Sequence, residues 1–196
     1  MTAPLINNDK TALICERIKK SGKAVADIEG EHLAYLASLV PNYGTIVEIG
    51  THRGRSAMFM AAGSRRLVKI YCIDMWLDDS DDKHISISKD LRIFKKHIAA
   101  LGLKKKITPI RGTSAEVAKS WNRYIDMVFF DGLHTYDAIK EYYQSWVPFV
   151  IKGGIVAIHD YQNGEWEGTS QFIDQVAAKQ LTHFSTCEGI WSGRKI

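Results

Sequence analysis

Residues 46–57 read IVEIGTHRGRSA. An apolar run closes on Glu48, Gly50 and Gly54 follow four apart, and helix-like spacing begins. A short apolar run bounded by turn residues fits a buried strand, so the stretch reads as strand, glycine turn, helix. Glycine at 50 and 54 lets the backbone pass close to a neighbour, because no Cβ stands in the way. Such a turn either keeps the chain compact or cradles a ligand. Its spacing is neither the GxGxxG of dinucleotide-binding proteins nor the GxxxxGK[ST] phosphate loop. An acid just before the turn suits a ligand bearing positive charge better than a pyrophosphate. Ser56 stands where a hydroxyl serves the first amides of the helix.

Outward from this stretch the alternation repeats. TIVEIG (45–50), LVKIYCID (67–74), KITPI (106–110), IDMVFFD (125–131) and GIVAIHD (154–160) read as strands. The last two are nearly continuous in apolar residues, which suits strands covered on both faces. Helices are expected at about 9–20 and 30–40, before the first strand. Two more lie between strands: DLRIFKKHIAAL (90–101) sets Leu91, Phe94, Ile98 and Leu101 on one face, and YDAIKEYYQSWV (136–147) does the same for Ile139, Tyr143 and Trp146. Strand–helix–strand alternation predicts an α/β fold, an open sheet with right-handed crossovers. LTHFSTCEGIWSGRKI (181–196) reads as a hairpin about Glu188-Gly189, which makes the sheet mixed. We expect one structural domain over 43–196, preceded by an N-terminal helical extension or cap over 1–42.

The chain has 196 residues, 45% of them hydrophobic, and a net charge of +4. This is enough for one sizeable core. The densest basic run, Lys104-Lys105-Lys106, has no interleaved aromatics and reads as a solvated loop before a nucleic-acid patch. The N-terminus lacks the apolar region of a signal peptide, and no run of about 18 apolar residues could span a membrane. Cys15, Cys72 and Cys187 are far apart and form no metal-ligand spacing, which argues against a zinc site or disulfide framework. Cys72 lies inside an apolar run and reads as a small buried residue. A cytoplasmic location is expected, since a reducing compartment fits these features.

In open α/β sheets, ligands bind beyond the carboxyl ends of the strands. Those ends carry Glu48 and Gly50, then Asp74, then Gly112-Thr113-Ser114, then Asp131, then His159-Asp160. Asp74 follows Gly50 by 24 residues, where a carboxylate reaches ribose hydroxyls or caps the next turn. Met75 and Trp76 either wall an adenine or belong to the core. The acidic run DDSDD (78–82) is a solvated loop or a device for substrate access.

These features together resemble the class I S-adenosylmethionine-dependent methyltransferases over about 43–196. EIGTHRGRS (48–56) is similar to that family's first motif, acid-x-Gly-x-x-x-Gly, and most closely resembles the small-molecule O-methyltransferases of the macrocin and cephalosporin-hydroxylase-like group. The resemblance implies a Rossmann-like seven-stranded mixed sheet of order 3-2-1-4-5-7-6, with strand seven antiparallel and helices on both faces. It implies S-adenosylmethionine as cofactor. Glu48, Gly50, Thr51, Gly54 and Ser56 would surround its methionine end, Asp74 would take its ribose, and Thr113 or Ser114 would lie by its adenine, with Met75 and Trp76 as its wall or as core. Asp131 would border the same site.

The resemblance further implies a divalent metal, Mg2+ or a softer ion such as Mn2+. Asp131 and Asp160 match the acids that hold it at the ends of strands four and five. The family often has a third carboxylate or amide beside the second acid; here the neighbour is His159, taken as the remaining ligand. His134 lies three residues past Asp131, where sugar-directed relatives carry a histidine base. It is either the base or a bystander. His52, His84, His97 and His183 have no such context. The expected reaction is methyl transfer to a small-molecule hydroxyl of a diol, catechol or sugar-like acceptor, with no nucleic-acid or membrane partner. A homo-oligomer is open, since helices before the first strand often pack against a partner in related enzymes. Residues 1–42, 76–90 and 161–168 would rim the site. The rival readings are a non-catalytic cofactor-binding module, a nicotinamide enzyme on the same sheet, and a nucleic-acid methyltransferase.

Overall fold

The apolar runs become strands: β1 Thr45–Ile49, β2 Lys69–Asp74, β3 Ile107–Arg111, β4 Ile125–Phe130, β5 Val150–Ile158, β6 Leu181–Cys187 and β7 Ile190–Lys195. Between them lie the helices α1 Asp27–Ser38, α2 Arg55–Gly63, α3 Lys89–Ala100, α4 Ser114–Ser120, α5 Tyr136–Trp146 and α6 Glu167–Phe172. The structure is a computed structural model that describes residues 18, 25–77, 88–162 and 164–196. The helix expected at 9–20 (Ile18 apart), Cys15, the acidic run 78–82, His84 and Asn163 lie outside the described residues.

The sheet has the order β3-β2-β1-β4-β5-β7-β6, as expected. β1 to β5 are parallel, and β7 runs antiparallel to both β5 and β6. The hairpin is closed by Glu188-Gly189, with Glu188 at φ +48°. Alternation along each strand sends successive side chains to opposite faces. Ile46, Ile70, Met127, Phe129 and Ala157 enter one core beneath α1, α2 and α3, with Leu33, Phe59 and Phe94. Val47, Ile73, Val128, Phe130 and Ile158 enter the other, beneath α4, α5 and α6, with Ala118, Trp146 and Phe172. Fully burying each such large side chain contributes about 1.5–3 kcal/mol. Two filled cores explain why these strands read as continuous apolar runs rather than half-polar ones.

Two boundaries differ from the sequence reading by three residues or more. β5 begins at Val150 rather than Gly154, and its register against β4 shifts between Ile125 and Met127. Lys152-Gly153-Gly154 carries no apolar pattern and lies where the register shifts, with Gly153 at φ +76°. α1 starts at Asp27 rather than residue 30. Asp27 and Glu29 in its first turn complement the positive end of the helix dipole. Lys106 is also less solvated than its basic run suggested: its ammonium donates to the carbonyls of Ala61 (2.9 Å) and Ser64 (2.7 Å). Cys72 is fully buried, as its apolar context predicted. Among the described residues no helix is long and apolar enough to cross a membrane.

Candidate functional site

The glycine turn is built by hydrogen bonds from both sides. Gly50 sits at φ +86°, and its N–H donates to the Ile73 carbonyl at 2.9 Å. Gly54, at φ +80°, opens α2, and its N–H donates to the Thr51 carbonyl at 2.8 Å. Glu48 lies beneath the turn, fully buried. Its carboxyl accepts from Thr51 Oγ1 at 2.8 Å and from the Ser56 hydroxyl. Burial pushes its pKa up to about 7, against the pull of those two hydroxyls. This corrects the sequence reading at two residues. Glu48 ties the turn to α2 from below and does not line the cleft. Ser56 spends its hydroxyl on Glu48 rather than on the first amides of the helix.

Asp74 holds the turn from the other side. Its Oδ2 accepts from the amides of Thr51 (3.0 Å) and His52 (2.8 Å), and its Oδ1 from the amide of Trp76 (2.7 Å). The carboxylate also faces the cleft. Trp76 does not. At φ +40° its indole folds under the turn, donates Nε1–H to the His52 carbonyl at 2.7 Å and packs on Phe94 at 5.4 Å. It is only 3% exposed, so it belongs to the core, whereas Met75, 40% exposed, lines the cleft. Across the cleft, Thr113 caps α4 by accepting from the Glu116 amide at 3.2 Å. Ser114 Oγ accepts from Trp146 Nε1 at 2.8 Å. The cleft itself, about 500 Å3, runs between the glycine turn, Asp74-Met75, residues 112–115 and Asp131-Gly132-Leu133.

Asp131 joins this cleft to a cluster of ionisable groups at the ends of β4 and β5. His159 Nδ1 is 2.9 Å from Asp131 Oδ1 and 3.4 Å from Asp160 Oδ2. Its Nε2 is 3.2 Å from Oε1 of Glu29 on α1. Ionised carboxylates only accept hydrogen bonds, so with these acids charged both ring nitrogens carry protons and the ring is an imidazolium. Burial works against that charge, but the three carboxylates outweigh it and raise the pKa to about 12. Burial pushes the Asp131 carboxyl up, against the pull of His159. Asp160, at φ +60°, is also partly desolvated, yet His134 and His159 hold its carboxyl well below the usual range. His134 Nδ1 lies 2.7 Å from Asp160 Oδ2, and its ring stacks on Trp166 at 4.8 Å.

The reading of His159 as a metal ligand is therefore corrected: both of its nitrogens are committed to carboxylates. The imidazole that gathers with the two acids is His134. Ligand atoms of Asp131, His134 and Asp160 all lie within 4.8 Å of one another. Three contributors escaped the sequence reading. Glu29 carried only a helix-start signal. Arg55, buried at the start of α2, donates to the carbonyls of Ile18 (2.6 Å) and Val25 (2.7 Å) and pairs with Asp27. Tyr142 accepts from the Leu133 amide at 3.1 Å, and nothing local in the sequence marked it.

A sequence profile described as "Methyltransferase domain" matches residues 47–161, more than half of the chain. Solved structures share the fold. One is the O-methyltransferase from Bacillus cereus in complex with SAH: 15% identity, TM-score 0.65, covering 96% of this chain and 92% of that one. A second is an SAH-bound methyltransferase of Podospora anserina: 16% identity, TM-score 0.67, covering 96% and 88%. An rRNA methylase from Streptococcus thermophilus also aligns: 15% identity, TM-score 0.61, covering 85% and 93%. With the sheet order, the glycine turn and this match together, the chain belongs to the methyltransferase domain family and has the fold of the class I S-adenosylmethionine-dependent methyltransferases.

Proposed function

We propose that the protein transfers the methyl group of S-adenosylmethionine to a hydroxyl of a small molecule. The observation that carries this reading is the adjacency of two sites on one sheet edge. A cleft bordered by Asp74 and Asp131 suits a cofactor with a sulfonium and an ammonium. Just past Asp131 and Leu133 stands a histidine oriented by a carboxylate.

His134 acts as the general base. Asp160 accepts the Nδ1 proton, which leaves the Nε2 lone pair to take the proton of an acceptor hydroxyl. Asp160 also stabilises the imidazolium that forms. The hydroxyl oxygen attacks the methyl carbon in line as the carbon–sulfur bond breaks, and S-adenosylhomocysteine leaves. The sulfonium charge is neutralised in the step, so alignment matters most, and it can supply roughly 7–11 kcal/mol. The Trp166 ring beside His134 offers a flat face on which a catechol or sugar ring can stack. The Mg2+ that the resemblance implies fits the donor set here poorly. Mg2+ takes oxygen ligands. The centre offers two carboxylates, both already bonded to His159, and an imidazole bonded to one of them. No step is assigned to a metal.

The test is calorimetry with S-adenosylhomocysteine, followed by methyl transfer from labelled S-adenosylmethionine to a panel of catechols and sugar diols. Micromolar binding with labelled product is expected. Failure to bind the nucleoside would end the proposal, and transfer to RNA but to no small molecule would redirect it.

A further inference from the structure

We infer that His159 takes the place of a divalent cation in this centre: its imidazolium is the fixed positive charge, and the native site takes up neither Mg2+ nor Mn2+. The catalytic meaning of this rests on the methyl-transfer reading, but its test does not.

The ring is held by carboxylates from three separate parts of the fold. Asp131 follows β4, Asp160 follows β5, and Glu29 comes from α1. Glu29 is itself fixed. Its Oε2 accepts from the Ala26 amide at 2.9 Å, and its Oε1 accepts from the Gly189 amide, in the β6–β7 hairpin, at 3.1 Å. The ring is 8% exposed and packs edge-on against Phe129 at 6.2 Å. A cation so placed cannot swing away to admit another.

Mg2+ sheds water reluctantly and wants near-octahedral oxygen donors, and Mn2+, though softer, would meet the same engaged oxygens. Here Asp131 Oδ1 is engaged by His159, and Asp160 Oδ2 by His159 and His134 together. The three-residue group Asp131, His134 and Asp160 is close enough to gather round an ion. Ligation through Nδ1 would cost His134 its 2.7 Å bond to Asp160, ligation through Nε2 would take the lone pair the base needs, and either way the incoming ion would face the imidazolium across the same acid pair. The imidazolium already does what the ion would do electrostatically. It screens Asp131 from Asp160, keeps Asp160 ionised against His134, and projects positive potential to where an acceptor oxygen loses its proton.

The experiment uses the full chain, stripped with EDTA and dialysed. Mn2+ is titrated with free ion followed by electron paramagnetic resonance, and Mg2+ with thermal unfolding. The native protein should show no saturable Mn2+ binding at millimolar ion and no shift in Tm. His159→Asp replaces the ring with a carboxylate. It should bind Mn2+ at least about tenfold more tightly than the native chain and gain a Mn2+-dependent rise in Tm. One saturable Mn2+ site in the native protein, weakened by Asp160→Asn, would overturn the inference even if His159→Asp fails to fold. A folded His159→Asp protein with no gain in Mn2+ affinity would overturn the claim that the ring occupies the cation's place. S-adenosylhomocysteine calorimetry on the same samples separates the two readings. A native Mn2+ site with intact nucleoside binding defeats only this inference, and lost nucleoside binding defeats methyl transfer.

Discussion

A Cβ on Gly50 would lie 2.1 Å from the main-chain oxygen of Asp131. The ends of β1 and β4 meet there without room for a side chain, and Gly50 is also at φ +86°. Gly50→Ala should therefore push the turn away from Asp131 and open the cleft. We expect a loss of at least about 2 kcal/mol in denaturant unfolding, since both strain and overpacking act. S-adenosylhomocysteine affinity should fall about tenfold or more in calorimetry. A variant with native stability and affinity would show that the close approach is idle.

Asp74 should matter for two reasons at once. Its carboxylate accepts from the Thr51 and His52 amides and also faces the cleft. Asp74→Asn keeps the shape but loses charge-assisted bonds worth about 1.5–3 kcal/mol each. Thermal stability and nucleoside affinity should drop together. Lowered affinity at unchanged Tm would assign Asp74 to the ligand alone; the reverse would remove it from the ligand.

Glu48 should make stability depend on pH. Its folded-state pKa is about 7 against an ordinary 4.5, so between those values the folded state holds a proton that the unfolded state has lost. Its contribution is full below about pH 4.5 and is lost as pH rises through 7, a swing of roughly 3 kcal/mol. Glu48→Gln stays neutral and should remove that slope. Melting curves at pH 5 and pH 8 for both proteins decide it: parallel changes would refute the assignment.

His134→Gln should leave S-adenosylhomocysteine binding intact, because the ring lies beside Asp160 and Trp166 rather than in the cleft. Turnover on any acceptor found should fall by about 10²–10⁴. Native turnover in the variant would return His134 to the role of bystander.

How much of this was legible depends on distance along the chain. Ile46 and Val47, or Val128 and Phe129, are neighbours whose alternation declares a strand buried on both faces. The hairpin about Glu188-Gly189 was equally local and stands where the reading put it, and so do Asp74 and Asp131 at the cleft, whereas Glu48 turned beneath it. Roles within the site were not local. Trp76 was a candidate for the cleft, yet its indole turned inward because Phe94 and the His52 carbonyl await it there. His134 was singled out by its spacing to Asp131 and His159 by its place beside Asp160, but nothing local said that His159 would meet Glu29 and two further carboxylates.

By itself the sequence determined the sheet, its two covered faces and the edge where ligands gather, because hydrophobic period and turn chemistry act over a few residues. Only the tertiary structure decided the charge at that edge. Glu29 meets His159 across 130 residues, through the packing of α1. A carboxylate at 3.2 Å from the second nitrogen favours the doubly protonated ring.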